Sequence, residues 1–411
     1  MKILHTADWH LGQLFYEYDR TAEHQHFLEW LSATLTEQQI EVLLISGDVF
    51  DVTNPSVNSI RLLYGFLNKV SQQSPHLQIV ITAGNHDSAS RLEAPIPLLQ
   101  STNIHIVGTI DKLLDGSINY QKLCIPLKNK AGIIQTWCLA IPFIRMGDYP
   151  QSATQQYSYA EGVAQLYHEA YEYANARKEH GQNIIAMGHL HTFQAEELDM
   201  DKSERMIMGG SEFIAATAFH SDLKYVALGH IHKAQRIGGK DHIRYSGSPL
   251  PMSFSERNYK HQVVIFDLDD EIKSIECVEI PVSIPLLRVP LQPLPLEEVI
   301  ALLHKLPVKE TTSDTAPYLE VQVLLLEPEP SLRYKIETVI ASKNVRLARI
   351  QPHYVQNSTH LAATAQHDLL NDLNPTEVFV QTYQSKFQSE VPHPILDLFK
   401  QTLQEVYLHD E

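Results

Sequence analysis

The sequence predicts an α/β fold through residue 280, followed by a small α+β unit and a helical tail. Three observations predict it. Short apolar runs alternate with helix-period segments, polar clusters rich in Asp, Asn and His follow several of those runs directly, and a proline-dense stretch ends the alternation. Residues 3–7, 42–46, 79–83, 138–142, 184–188, 225–229 and 263–268 are continuous apolar runs of strand length, as expected of buried strands. Residues 21–39, 56–71 and 159–179 show helical spacing. Strands alternating with helices imply a sheet covered by helices, whose ligands bind at the carboxyl ends of the strands.

Residues 281–295, PVSIPLLRVPLQPLP, hold five prolines. Proline interrupts helices and is confined to edge strands, so a domain boundary is placed here, giving domains at 1–280 and 281–355. The second contains a helix pattern at 296–306, a strand at 318–326, a helix near 331–342 and a strand near 346–350. Residues 356–411 form a third segment. Asn374, Pro375 and Glu377 make a helix start, and Leu396, Phe399, Leu403 and Val406 lie on one helical face after Pro394.

Composition bounds the function. At about 150 residues per domain, 411 residues suggest two to three domains. Lys plus Arg number 32 against 49 Asp plus Glu, a net charge of −17. Such a chain does not coat nucleic acid through a generally basic surface, although metal ions and a local basic strip can still bring phosphates to it. Cys124, Cys138 and Cys277 form no CxxC pair, which speaks against a disulfide framework or thiolate zinc site and suits a reducing cytoplasm. The start, MKILHTADWHLG, lacks the apolar run of a signal peptide, and no run approaches 18 apolar residues, so no membrane span is expected.

Five clusters follow expected strands: Asp8-Trp9-His10, Gly47-Asp48-Val49-Phe50-Asp51, Gly84-Asn85-His86-Asp87, Gly188-His189-Leu190-His191 and Gly229-His230-Ile231-His232. Singly, each has a plainer reading as a surface turn, a helix-capping Asp or a buried hydrogen-bonded His. Together they offer oxygen and imidazole nitrogen ligands without thiolate, a mixture suited to Mn²⁺, Fe²⁺ or Zn²⁺. A pair of ions needs one bridging carboxylate and ligands from several loops. Asp48, after a glycine turn, is the natural bridge.

The series DxH, GDxxD, GNHD, GH, GHxH resembles the calcineurin-like metallophosphoesterase superfamily. The fuller context, with LLISGDVFD, ITAGNHDS, ALGHIHKAQ and RYSGSPLPMSF, is similar to its SbcD family of bacterial double-strand-break nuclease subunits. The resemblance implies a four-layer α/β sandwich with a small α+β capping domain and a helical C-terminal tail. It implies two ions, Mn²⁺ foremost with Mg²⁺, Fe²⁺ or Zn²⁺ as alternatives. One would be held by Asp8, His10, Asp48 and His232, the other by Asp48, Asn85, His189 and His230. His191 stays open as an alternative to His189. His86 would face the scissile phosphate, with Asp87 orienting its imidazole. Archaeal and eukaryotic relatives usually carry His where this chain has Asp51; Asp51 is left open as a supporting or helix-capping acid.

Between residues 224 and 260 seven basic residues face only Asp241 and Glu256 in sequence, and Lys233, Arg236 and Arg244 are the candidates for DNA contact. The family implies metal-dependent exonuclease action on double-stranded ends and endonuclease action on hairpins, in DNA repair, recombination and replication. It also implies a homodimer formed through the helices at 21–39 and 56–71, association with an SbcC-type SMC-like ATPase in a heterotetramer, and a nucleoid-associated, cytoplasmic location. The rival enzyme class is a phosphomonoesterase, nucleotidase or cyclic-nucleotide phosphodiesterase, since the clusters describe metals rather than substrate. A scaffold that had lost its chemistry would have lost ligands, and none is missing.

Overall fold

Four parallel strands bring the first three polar clusters to one edge. β1 (Lys2–Thr6) is followed by a separate two-stranded ribbon of β2 (Leu14–Phe15) and β3 (Tyr18–Asp19). With β1, strands β4 (Val42–Ser46), β5 (Gln78–Thr82) and β6 (Ile104–Val107) run parallel. β13 (Gln262–Leu268) and β14 (Ile272–Glu279) extend this sheet antiparallel beside β1, in the order β14-β13-β1-β4-β5-β6. The computed structural model describes residues 1–150, 157–192, 213–309 and 315–354, with a few positions between 379 and 399. A second six-stranded sheet has the order β11-β12-β10-β9-β8-β7. It is built from β7 (Cys124–Lys128), β8 (Ile134–Ala140), β9 (Asn183–His189), β10 (Val226–Gly229), β11 (Gln235–Ile237) and β12 (Lys240–Tyr245), of which β8, β9, β10 and β12 are parallel.

Strand alternation sorts the core into two. Ile3, Val42, Leu44 and Val80 join a cluster with Cys138, Ala140, Ile185 and Ala227 of the second sheet, whereas Leu4, Leu43, Ile45, Ile79 and Ile81 face α1 (Thr21–Glu37) and α2 (Val57–Gln73). Helix α1 contributes Phe27, Leu28, Leu31 and Leu35; α2 contributes Leu63, Phe66, Leu67 and Val70. Short helices α3 (Ala89–Glu93), α4 (Ile96–Leu99) and α5 (Tyr120–Leu123) occupy connections, and α6 (Tyr159–Asn175) packs Val163, Leu166 and Tyr167 on the second sheet. Helix, sheet, sheet, helix is the four-layer arrangement expected. Ser158 and Glu161 start α6 with a capping box, and Ser56 caps α2 by accepting from Ser59 N–H.

Most of the proline-dense stretch is a strand. β15 (Leu286–Pro295) pairs parallel with β16 (Tyr318–Leu325), which pairs with β17 (Arg346–Tyr354), in the order β15-β16-β17. Its register breaks between Val289 and Leu294, and the edge position suits residues without an N–H to donate. α7 (Leu296–His304) and α8 (Leu332–Ile340) complete this small domain, burying Val299, Leu303, Ile336 and Ile340 with Val321 and Val323. The expected helix start at 374–377 and the positions of Leu403 and Val406 lie outside the described residues. Within that C-terminal segment Phe379 and Phe399 stack with centroids 4.1 Å apart. No helix among the described residues is long and apolar enough to cross a membrane.

Trp9 anchors the loop after β1. It is fully buried, its ring meets Phe27 and Phe66 edge-on at 5.6 and 5.5 Å, and its Nε1 donates to Thr6 Oγ1 at 3.0 Å. Trp9→Ala should cost about 3–5 kcal/mol of unfolding free energy, measured by urea denaturation; a loss below ~1 kcal/mol would show that the loop does not depend on this anchor.

Candidate metal centre

Each cluster leaves the carboxyl end of a parallel strand, and the stacking of the two sheets brings β1, β4 and β5 against β9 and β10. The loops after β1 and β4 are zipped together: Asp8 N donates to Gly47 O at 3.1 Å, His10 N to Asp48 O at 3.0 Å and Leu11 N to Val49 O at 3.0 Å. Asp8, His10, Asp48 and His230 all have φ in the left-handed region, at 54°, 45°, 47° and 103°. That conformation is costly for non-glycine residues and collects at functional sites held by their surroundings. Gly229 is required by close approach, because a methyl there would overlap the Ser46 carbonyl oxygen of the facing sheet. At Gly47 both the φ of 82° and the His189 ring exclude a side chain.

Side chains from these loops form three overlapping groups: Asp8, His10 and His232; His10, Asp48 and His86; Asp48, His189 and His230. Asp48 Oδ2 is 3.2 Å from His189 Nε2 and 3.6 Å from His10 Nε2, while its Oδ1 accepts His86 N–H at 2.9 Å. Asn85 Oδ1 lies 2.9 Å from His189 Nε2 and 3.1 Å from His230 Nδ1. Every residue expected to hold an ion is thus in one cluster.

The donor set fits divalent metal. Asp8 Oδ2 and His10 Nε2 are buried without a hydrogen-bond partner, although unpaired buried polar atoms are costly. The far nitrogens are tied down as metal-ligating histidines require. His189 Nδ1 donates to Ser46 O at 2.9 Å, and His10 Nδ1 to Asp51 Oδ1 at 3.1 Å. His232 Nδ1 donates to Glu256 Oε1 at 3.0 Å. Carbonyl and carboxylate oxygens only accept, so in these three rings Nδ1 carries the hydrogen and Nε2 is left for the cluster.

His86 is half-buried beside His10, with ring centroids 4.9 Å apart, and its Nδ1 donates to Asp51 O at 2.8 Å. Asp87 departs from expectation. It is fully buried, and its carboxylate accepts from Gly84 N at 2.9 Å, Phe50 N at 2.9 Å and Val49 N at 3.1 Å, so it clamps two loops together while Asp51 orients the His86 ring. Asp51 thereby resolves as a supporting acid, serving His10 with its side chain and His86 with its carbonyl. His191 is buried, 5.8 Å from His230 and 4.6 Å from Phe213 between ring centroids, and belongs to none of the three groups.

The basic strip is weaker than its sequence suggests. Arg236 pairs with Asp241 at 2.8 Å, and Arg244 reaches Asp241 and Cys277 Sγ, the latter at 3.3 Å. Lys224 pairs with Glu271, and Lys260 with Glu279 at 3.0 Å. Counting charges along one segment misses acids delivered by neighbouring strands. Sequence reading sets Glu256 only against the basic strip and misses its contact with His232, since the local sequence, SFSER, carries no ligand spacing.

Burial works against charge throughout the centre, and the neighbouring charges decide where it wins. Desolvation lowers His189, yet Asp48 and Asp8 beside it push it up to about 9. Desolvation raises Asp48, but His189 and His10 outweigh it and hold Asp48 well below the carboxylate range. His230 is driven well below its ordinary value, first by burial and then by His189. In the metal-free protein His189 contributes stability fully present below its ordinary value of 6.5 and lost as pH rises through about 9. A divalent ion bound at His189 Nε2 would have to displace that proton, so its affinity should rise across the same window while metal-free melting temperature falls. Calorimetric titrations at several pH values read both, and an affinity flat with pH would contradict the His189–Asp48 pairing.

Known proteins resemble the chain over most of its length. A family model for calcineurin-like phosphoesterases matches residues 1–234, and one described as the type 5 capsule protein repressor C-terminal domain matches residues 282–387. The D component of the nuclease SbcCD from Rhodobacter capsulatus is 36% identical over 354 residues, covering 85% of this chain and 86% of that protein. Its counterpart from Escherichia coli K12 is 31% identical over 391 residues, 92% of each chain. That of Bacillus subtilis is 32% identical over 270 residues, 65% of this chain and 66% of that one.

Proposed function

Because this chain belongs to the calcineurin-like phosphoesterases and, within them, to the SbcD family of nucleases, we propose that it cleaves DNA phosphodiesters at a site holding two divalent ions, Mn²⁺ foremost. The observation that carries this reading is the convergence of seven side chains, Asp8, His10, Asp48, Asn85, His189, His230 and His232, in one cluster in which Asp48 neighbours His10, His189 and His230, with the buried Asp8 Oδ2 and His10 Nε2 left unpartnered. Asp8, His10, Asp48 and His232 would hold one ion, and Asp48, Asn85, His189 and His230 the other. Bound there, such ions polarise a phosphodiester and make water a competent nucleophile near neutral pH.

The chain's own groups supply the rest. With Nδ1 engaged by the Asp51 carbonyl, His86 keeps Nε2 for substrate, where it would hydrogen-bond a phosphate oxygen or protonate the leaving oxygen. Asp87 fixes the spacing between the loop of His86 and that of Asp48. Lys233, next to His232, is the nearest basic residue in sequence to the ligands; Arg236 and Arg244 would take phosphates by exchanging them for Asp241. The substrates proposed are double-stranded ends, attacked as an exonuclease, and hairpins, attacked as an endonuclease. The partner proposed is an SbcC-type ATPase docking on the segment after residue 356, with α1 and α2 joining two copies.

A hairpin DNA and a nitrophenyl phosphate monoester, each with Mn²⁺, test the substrate class. Cleavage of the hairpin, enhanced by the ATPase subunit and ATP, supports the reading; turnover of the monoester alone would replace it with a small-molecule phosphatase. His86→Ala should retain Mn²⁺ binding and lose roughly 10²-fold or more in DNA cleavage. Near wild-type cleavage by that variant would remove His86 from the mechanism.

A further inference from the structure

His232 stands between the metal cluster and a carboxylate anchored elsewhere. Glu256 Oε1 lies 3.0 Å from His232 Nδ1, and Glu256 Oε2 accepts the Met252 backbone N–H at 2.8 Å. Both acceptor oxygens are therefore engaged, and Glu256 is buried. It sits on the short turn Phe254–Asn258, which packs against the small domain. Phe254 is fully buried in one cluster with Phe15, Ile284 and Tyr318 of β16. Its carbonyl accepts from Arg288 Nη2 of β15 at 3.4 Å, and Arg288 is paired with the buried Glu320 of β16.

We propose that Glu256 is a positioning residue for His232, kept in register by the small domain, so that this domain sets the affinity of one of the two ions. The inference rests on His232 being a ligand, as in the function proposed above. An imidazole whose far nitrogen is fixed by a carboxylate has one tautomer and one ring orientation, and loss of such a partner typically weakens metal binding about 10–100-fold. Without Glu256 the His232 ring loses the acceptor that fixes its Nδ1. The path from the small domain to the centre is short, running from Arg288 to the Phe254 carbonyl, along the turn to Glu256 and from there to His232.

The test uses the full chain, titrated calorimetrically with Mn²⁺ and followed by visible absorption with Co²⁺, as wild type, His232→Ala, Glu256→Ala, Glu256→Gln and Arg288→Lys. Metal-free melting temperatures control for folding. Glu256→Ala should bind two ions with one weakened about 10–100-fold and a changed cobalt spectrum. Glu256→Gln should recover part of that loss, since its amide oxygen still accepts from His232. Arg288→Lys keeps a charge beside Glu320 but not the reach to Phe254, and should weaken the same ion by a smaller factor. Unchanged affinity and spectrum in Glu256→Ala would overturn the proposal, as would equal weakening of both ions. An Arg288→Lys protein indistinguishable from wild type would overturn the small domain's part in it. If His232→Ala still bound two ions, the ligand assignment itself would fall, and this inference with it.

Discussion

One carboxylate constrains the rest of the molecule. Asp48 is reached by His189 from the second sheet, by His10 from the loop after β1 and by the His86 amide from the loop after β5. Three loops on two sheets can meet at one residue only if their strands end together, which is what parallel strands in stacked sheets accomplish. The close approach is visible in the backbone: Ser46 Oγ donates across the layers to Ala227 O at 3.1 Å, and Gly229 has no room for a β-carbon. The left-handed conformations at Asp8, His10, Asp48 and His230 are stabilised by that same crowding.

Charge at the centre follows from burial. Carboxylates and imidazoles removed from water are unfavourable alone and stabilise one another when paired, so without metal the cluster is held by His189 and Asp48. Those contacts use the atoms that would ligate an ion, whereas the outer contacts to Ser46 O, Asp51 and Glu256 do not. Orientation is therefore built from contacts that do not use the candidate ligand atoms, and a bound ion would exchange the inner contacts while leaving the outer ones in place. This also reconciles an acidic chain with phosphate chemistry, since cations rather than surface basicity would meet the substrate.

Much of this was legible in the sequence because strand-end clusters carry both position and chemistry. The runs before Asp8, Asp48, Asn85, His189 and His230 mark strands, and the residues after them mark the side chains that meet in one cluster. What was not legible depends on contacts across the chain. Asp87 looks like a partner for His86, yet three backbone N–H groups from two loops claim it. Arg236 and Arg244 look like a basic strip, yet Asp241, brought alongside by the β11–β12 pairing, engages both. Glu256 lies 24 residues from His232 with no motif to flag it, and only the folded turn brings them together. The prolines of β15 were legible as an obstacle to helix, but only pairing with β16 shows them as an edge strand.

The most direct measurement is anomalous diffraction from crystals equilibrated with Mn²⁺. Two peaks about 4 Å apart, one between Asp8, His10 and His232 and the other between Asn85, His189 and His230, with Asp48 touching both, is the result expected. A single peak, or two peaks of which Asp48 reaches only one, would contradict the shared carboxylate on which the account rests.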